Sequence, residues 1–318
     1  MNDKDRDRSG EGAGPSDDPG PYCRPLSLKH IILFLLVAMV GLADYSNAQP
    51  GRGLSVTIEA NSFFANNAQA NFYQGIPQNS NTILRVLHSQ QYGYPIWMDL
   101  TEQDLITSSI SSYRQLQIEE YGDMSYRLAI HLGFGFRYDL GGGWGWLARF
   151  NYAKLNAFGQ FLIQSGRNSP GLLTNQDAYV ACPIVGEEKR IFLDFGVSRR
   201  VMLNTQWFMN MDLGVSVNNT KVVSNDIQVA GVTYNILDIW EGRYPDMGTV
   251  AYDYINQGGL GFGTFASLGF GILLPGYNTI TFDYTLQYAQ TNLENYTSYN
   301  FQHLLGVRFE LGDFSFFD

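Results

Sequence analysis

Cysteine is almost missing from this chain. Of 318 residues two are Cys, Cys23 and Cys182, and the first falls in a segment marked for removal. One remaining thiol can build neither a disulfide framework nor a thiolate zinc site. Positive charge is also short: 20 Lys and Arg stand against 30 Asp and Glu, a net charge of −10. That balance does not support a basic nucleic-acid surface. Long apolar runs are lacking too. Beyond residue 49 none reaches the roughly 20 residues that a membrane helix needs. Histidines number four in all, and no metal or cofactor is expected.

What is present begins with export. Residues 31–43, "IILFLLVAMVGLA", form an uncharged apolar run behind Arg24, Lys29 and His30, and the small residues Ser46 and Ala48 precede Gln49. This pattern is that of a secretory signal peptide, with "MNDKDRDRSGEGAGPSDDPGP" (1–21) ahead of it as an unusually long polar n-region. Cleavage after Ala48 divides the chain into a leader, 1–48, and a mature domain, 49–318. The mature part keeps 15 Lys and Arg against 23 Asp and Glu, a net charge of −8. No Cys stands directly after the apolar run, which argues against a lipoprotein anchor; a retained signal anchor is the rival, disfavoured by the length of the run.

The mature chain is dominated by strict alternation. In "SYRLAIHLGFGFRYDL" (125–140) the even positions are Tyr, Leu, Ile, Leu, Phe, Phe, Tyr and Leu, whereas the odd ones are Ser, Arg, Ala, His, Gly, Gly, Arg and Asp. Seven further segments repeat the pattern: "LSVTIEAN" (54–61), "WGWLARFNYA" (144–153), "IFLDFGVS" (191–198), "WFMNMDLGVSVN" (207–218), "LGFGTFASLGFGI" (260–272), "TITFDYTLQYA" (279–289) and "FQHLLGVRFEL" (301–311). Period-2 patterning of this length predicts strands. Connectors near 140–143, 199–206 and 274–278 are short, whereas those near 64–123, 165–189, 220–258 and 291–300 are long. Short turns at one end and long loops at the other predict an all-β, antiparallel up-and-down barrel of eight strands. A hairpin hidden in 64–123 or 220–258 would raise the count to ten.

This architecture resembles the small eight-stranded outer-membrane barrels of double-membraned bacteria, with short periplasmic turns and long external loops. The resemblance spans the mature chain but rests on no family-specific motif. It implies an outer-membrane location, with outer-membrane lipid as the first partner. Barrels of this class end on an aromatic residue; here "RFELGDFSFFD" closes on Asp318, and a bulge at Gly312–Asp313 would restore the alternation.

Volume and charge decide which face is inside. An eight-stranded bore is only just wide enough to be filled by side chains, and the face carrying Tyr126, Phe134, Trp146, Phe195, Trp207, Phe270, Phe282 and Phe309 is too bulky for it. The other face is rich in Gly, Ser and Thr. It also carries Glu59, Asp194, Asp212, Asp283 and Glu310 with Arg127, Arg137, Arg149 and Arg308, and His131 among them. A charge facing lipid at mid-membrane costs roughly 2–4 kcal/mol, so these side chains are expected to form a lumen network that plugs the bore. A two-sheet sandwich with polar outer faces is the competing arrangement; strands this long count against it.

Enzyme motifs are missing. His131 lacks a recognisable nucleophile to serve, "GGLGFG" (258–263) neither follows a buried parallel strand nor opens a helix, and "EEKR" (187–190) reads as a solvated loop end. His303 reads as part of an aromatic belt. The long loops hold Tyr92, Tyr94 and Trp97 and then Tyr234, Trp240 and Tyr244, interleaved with acids. Such aromatics either bind a surface protein or glycan, or pack the loops together. The expectation is therefore a non-enzymatic structural or docking barrel acting through 64–123 and 220–258. The alternatives are a small-solute pore and a lipid-modifying barrel enzyme.

Overall fold

A computed structural model describes residues 53–75, 82–167, 178–237, 258–275, 278–293 and 296–314. The leader and its cleavage site lie outside these residues. Eight long strands make the wall: β1 Gly53–Phe64, β2 Ala129–Gly141, β3 Trp144–Gln164, β4 Tyr179–Met202, β5 Trp207–Val229, β6 Gly258–Leu273, β7 Thr279–Leu293 and β8 Tyr296–Phe314. Each pairs antiparallel with the next, and β8 returns to β1, closing the ring. The molecule is a transmembrane up-and-down barrel of eight strands. The two short pieces at Ile118–Tyr121 and Ser125–Tyr126 add to the upper part of β3, and Val232–Asn235 adds to the upper part of β5. None of them enters the ring, so the ten-strand alternative does not arise among the described residues.

The alternation translates into two surfaces. Phe134, Phe136, Trp146, Phe195, Val215, Phe262, Phe270, Phe282 and Leu305 are exposed on the outer wall, with Phe282 63% accessible. Their neighbours in sequence are buried in the bore, including Glu59, Arg137, Arg149, Asp194, Asp212, Asp283, Arg308 and Glu310. An apolar band without charge is what lipid requires of an outward face. The turn at 141–143 has φ of +93°, +63° and +76° at three successive glycines, a run of left-handed backbone that side chains resist. Between Val56–Leu311 and Leu54–Phe314 the register slips by one residue, so the bulge expected near Gly312–Asp313 is present.

Two connectors differ from expectation. The stretch 291–300 is not a long loop: β7 runs to Leu293 and β8 resumes at Tyr296. Tyr288 stacks on Tyr299 at 5.8 Å and packs against Phe301 at 4.8 Å, so side-chain pairing carries the ladder onward. The stretch 165–189 is strand from Tyr179 onward, where β4 begins and pairs with β3 up to Gln164. In both stretches apolar and polar residues fall on both faces, so no alternation marks them as strand.

Candidate functional site

The bore is filled in layers. At the short-turn end Arg137 meets Asp139 at 2.8 Å, Arg200 meets Glu310 at 2.6 Å, and Ser55 donates to the other Glu310 oxygen at 2.7 Å. Above them Arg308 is the hub: its Nε lies 2.9 Å from Glu59 and 3.1 Å from Asp283, and its Nη1 lies 2.8 Å from Asp212. Arg149 joins Glu59 at 3.5 Å to Asp194 at 3.4 Å and lies over the Phe265 ring. Asn210 donates to Asp212 and Asn151 to Asp194. Glycine makes room for these groups: a Cβ on Gly269 would stand 2.0 Å from an Asp283 oxygen. Nine of the ten lumen residues expected from sequence line the bore; Arg200 and Asp139 were missed, although both alternate in phase with their strands.

Arg127 is the exception. It is exposed on the outer wall with its guanidinium 3.5 Å from the centroid of the Phe158 ring. Pairing is interrupted between Tyr126 and Ala129, and the interruption inverts the parity. Tyr126, assigned to the lipid face, therefore points inward, where its hydroxyl donates to Glu188 at 3.0 Å.

Above the charged layers sits an apolar collar of Phe63, Ala129, Ala153, Leu155, Phe192 and Leu304. His131 is held in it, 5.8 Å from the Phe63 ring and 5.5 Å from Phe192, with Asn61 at 3.2 Å from its Nδ1. Next comes Glu188, fully buried, which receives Arg190 Nε at 2.6 Å and the hydroxyls of Tyr73 and Tyr126 at 2.9 and 3.0 Å. The "EEKR" stretch is thus not a solvated loop end. It is strand, with Glu188 and Arg190 inside and Glu187 and Lys189 outside.

The first long loop closes the mouth. Short helical segments at Asn67–Ala70, Asn71–Gln74, Ile83–Leu87 and Gly93–Glu102 lay Phe72, Ile83, Val86, Leu87, Ile96 and Leu100 against the inner side of the raised wall, on Phe161, Ile163, Ile184, Val222 and Ile227. Asn66 starts the first helix by accepting from Ala68 N at 2.9 Å, the usual N-cap bond. Of the expected loop contacts, Tyr92, Trp97 and Tyr234 pack against this core; Trp97 donates to Ile110 O at 3.0 Å, and Tyr234 donates to Asp99. Burial, and then the Asp99 carboxylate, push the Tyr234 phenol upward. Tyr94 stays on the surface at 49% exposure, 6.1 Å from Trp97 and 6.4 Å from Tyr113. Trp240 and Tyr244 lie outside the described residues. Cys182 is buried in the raised wall, and burial pushes its thiol up to about 12, so it is a packing residue rather than a nucleophile. His303 faces outward, stacked on Tyr284, whose hydroxyl lies 2.7 Å from its Nδ1.

No family model and no curated protein matches the sequence. Among solved structures, Neisserial surface protein A matches over 82% of this chain and 99% of its own, at 8% identity and a TM-score of 0.37. Ail of Yersinia pestis, solved in complex with the heparin analogue sucrose octasulfate, matches over 82% and 100% at 11% identity and a TM-score of 0.32. OprG of Pseudomonas aeruginosa matches over 84% and 100% at 10% identity and a TM-score of 0.36. The assignment of this chain to the eight-stranded barrels rests on its own closed ring, and its likeness to these outer-membrane proteins is one of architecture.

Proposed function

We propose that this chain is exported, processed after Ala48, and inserted in the outer membrane as a closed, non-enzymatic barrel that serves as a structural or docking component through its cap. The observation that carries the reading is the series of obstructions along the axis. A salt-bridged layer, the Phe63–His131–Phe192 collar, the Glu188–Arg190 cluster and a helical cap follow one another. A solute pore needs a continuous polar path, and the collar interrupts it. Purified protein in planar bilayers is expected to show no steady conductance. A reproducible channel of porin size would overturn the closed reading.

Docking is supported by what the cap leaves outside. Tyr94 is exposed beside Tyr113, which packs on the cap core, and the exposed Arg114 places its guanidinium 5.7 Å from the Tyr113 ring centroid. Side chains that pack the cap are unavailable to a partner, so Tyr94 is a position to probe, together with 239–248, which holds the Trp240 and Tyr244 expected as contacts from the sequence. Exchanging 239–248 for a Gly/Ser linker in a Tyr94→Ala background is expected to keep the heat-modifiable barrel and to lose co-purifying surface protein or glycan from native membranes. An unchanged set of co-purifying molecules would refute docking through this surface.

A further inference from the structure

The outer wall carries one feature that neither the lumen nor the cap explains. The whole chain has five lysines, Lys4, Lys29, Lys154, Lys189 and Lys221, and the first two precede the barrel. The remaining three stand in direct cross-strand register: Lys154 on β3 opposite Lys189 on β4, and Lys189 opposite Lys221 on β5. All three are exposed, each between residues that face inward. Like charges placed directly opposite one another destabilise a sheet, and scattered lysines would avoid that cost.

Their height matters as much as their alignment. Immediately below the row the outward positions are Tyr152, Ile191 and Asn219, and beneath those Phe150, Leu193 and Val217. Ten residues down the same ladder, from 154 to 144, Trp144 pairs with Arg199, whose guanidinium lies over that indole. Ten residues of strand tilted at about 40° rise about 25 Å, the height of the apolar band on such barrels. The lysine row therefore sits where the band ends on the cap side. Arg127 extends it on the other side of β3: its amide donates to Asn156 O at 2.9 Å, and stacking on Phe158 fixes its guanidinium against the wall. Glu187 neutralises Lys154 at 2.8 Å; among the described residues no carboxylate pairs with Lys189 or Lys221.

We propose that Lys189 and Lys221, flanked by Lys154 and Arg127, form a site for the anionic phosphate headgroups of lipid in the outward leaflet. Lysine stems lie along apolar surface while their ammonium groups reach the interface, where they attract anionic headgroups and bind phosphate as point charges. The inference rests on the membrane reading above, and its test separates the two. Full-length protein, released from micelles holding equal amounts of phosphatidylglycerol and phosphatidylcholine, is examined by native mass spectrometry for retained lipid. Wild type is expected to retain phosphatidylglycerol preferentially, with the preference falling about fivefold for Lys189→Gln or Lys221→Gln. It should vanish in the triple glutamine variant and survive in the triple arginine variant. Since these side chains point away from the core, heat-modifiability should be unchanged throughout. A folded barrel with no preference, or with the same preference in the triple glutamine variant, overturns the site alone. Displacement of the lipid by millimolar inorganic phosphate would make it a free-anion site and also overturn the lipid assignment. Protein that fails to form a heat-modifiable, membrane-inserted barrel would remove the membrane reading and the site with it.

Discussion

Arg308→Met is expected to cost about 3–5 kcal/mol of unfolding free energy, since breaking a buried pair strands its partner charge. Here three partners would be stranded: Glu59, Asp212 and Asp283 all lie within 3.1 Å of the Arg308 guanidinium. Arg149 reaches Glu59 only at 3.5 Å, so it cannot replace the hub. Methionine fills a similar volume, which separates the loss of charge from the opening of a cavity. Thr264→Ala supplies the contrast. Thr264 is exposed on the outer wall, paired with Val215 and Tyr288, and its truncation should cost well under about 1 kcal/mol. Urea titration in the same micelle, read by tryptophan fluorescence, measures both. Equal midpoints for the two variants would contradict the facing of the strands.

Gly186→Val is expected to release the cap without opening the ring. A Cβ at Gly186 would lie 2.3–2.5 Å from the Tyr73 ring, too close for any relaxation short of ejecting the tyrosine. Tyr73 is fully buried, donates to Glu188, and accepts Asn225 Nδ2 on its carbonyl at 3.3 Å. Its ring contacts Phe72 edge-on at 5.6 Å, so displacing one disturbs both. Large aromatic losses of this kind cost about 3–5 kcal/mol. The expected readout is rapid proteolysis within 66–117 in the variant, against protection in wild type, with both proteins still heat-modifiable. Equal protection would show that the cap does not depend on this contact.

The ring and its facing were legible in the sequence because lipid allows one answer. A strand bathed in hydrocarbon must put Phe134, Phe195 and Phe282 outside and Arg149, Asp212 and Arg308 inside, and period-2 patterning records that choice. Above the membrane the constraint lapses. There the outer face of β4 meets water, and "EEKR" alternates charge with charge, so no apolar stripe reveals that Glu188 and Arg190 are interior. The inverted parity at Tyr126 and Arg127 was hidden for a similar reason: either residue suits either face, and only the missing ladder at 127–128 distinguishes them. The cap helices have four to ten residues, too few for a 3.6-residue period to emerge. The aromatic residues at 92, 97 and 234 were visible, but composition alone does not say whether a ring faces a partner or its own protein.

The wall is not of even height. Strands β3, β4 and β5 have 21, 24 and 23 residues, whereas β6, β7 and β8 have 16, 15 and 19. A cylinder would meet its neighbours in a crowded membrane identically from every compass direction; this molecule has a front and a back. On the tall side a passing protein encounters an upright β-palisade with a basic foot, and on the low side it encounters a greasy girdle of Tyr284, Tyr288, Tyr299 and Phe301 reaching nearly to the rim. Lateral company is thereby sorted by bearing. Rotation about the membrane normal, which changes nothing for a symmetric barrel, decides here which of its surfaces a neighbour can reach.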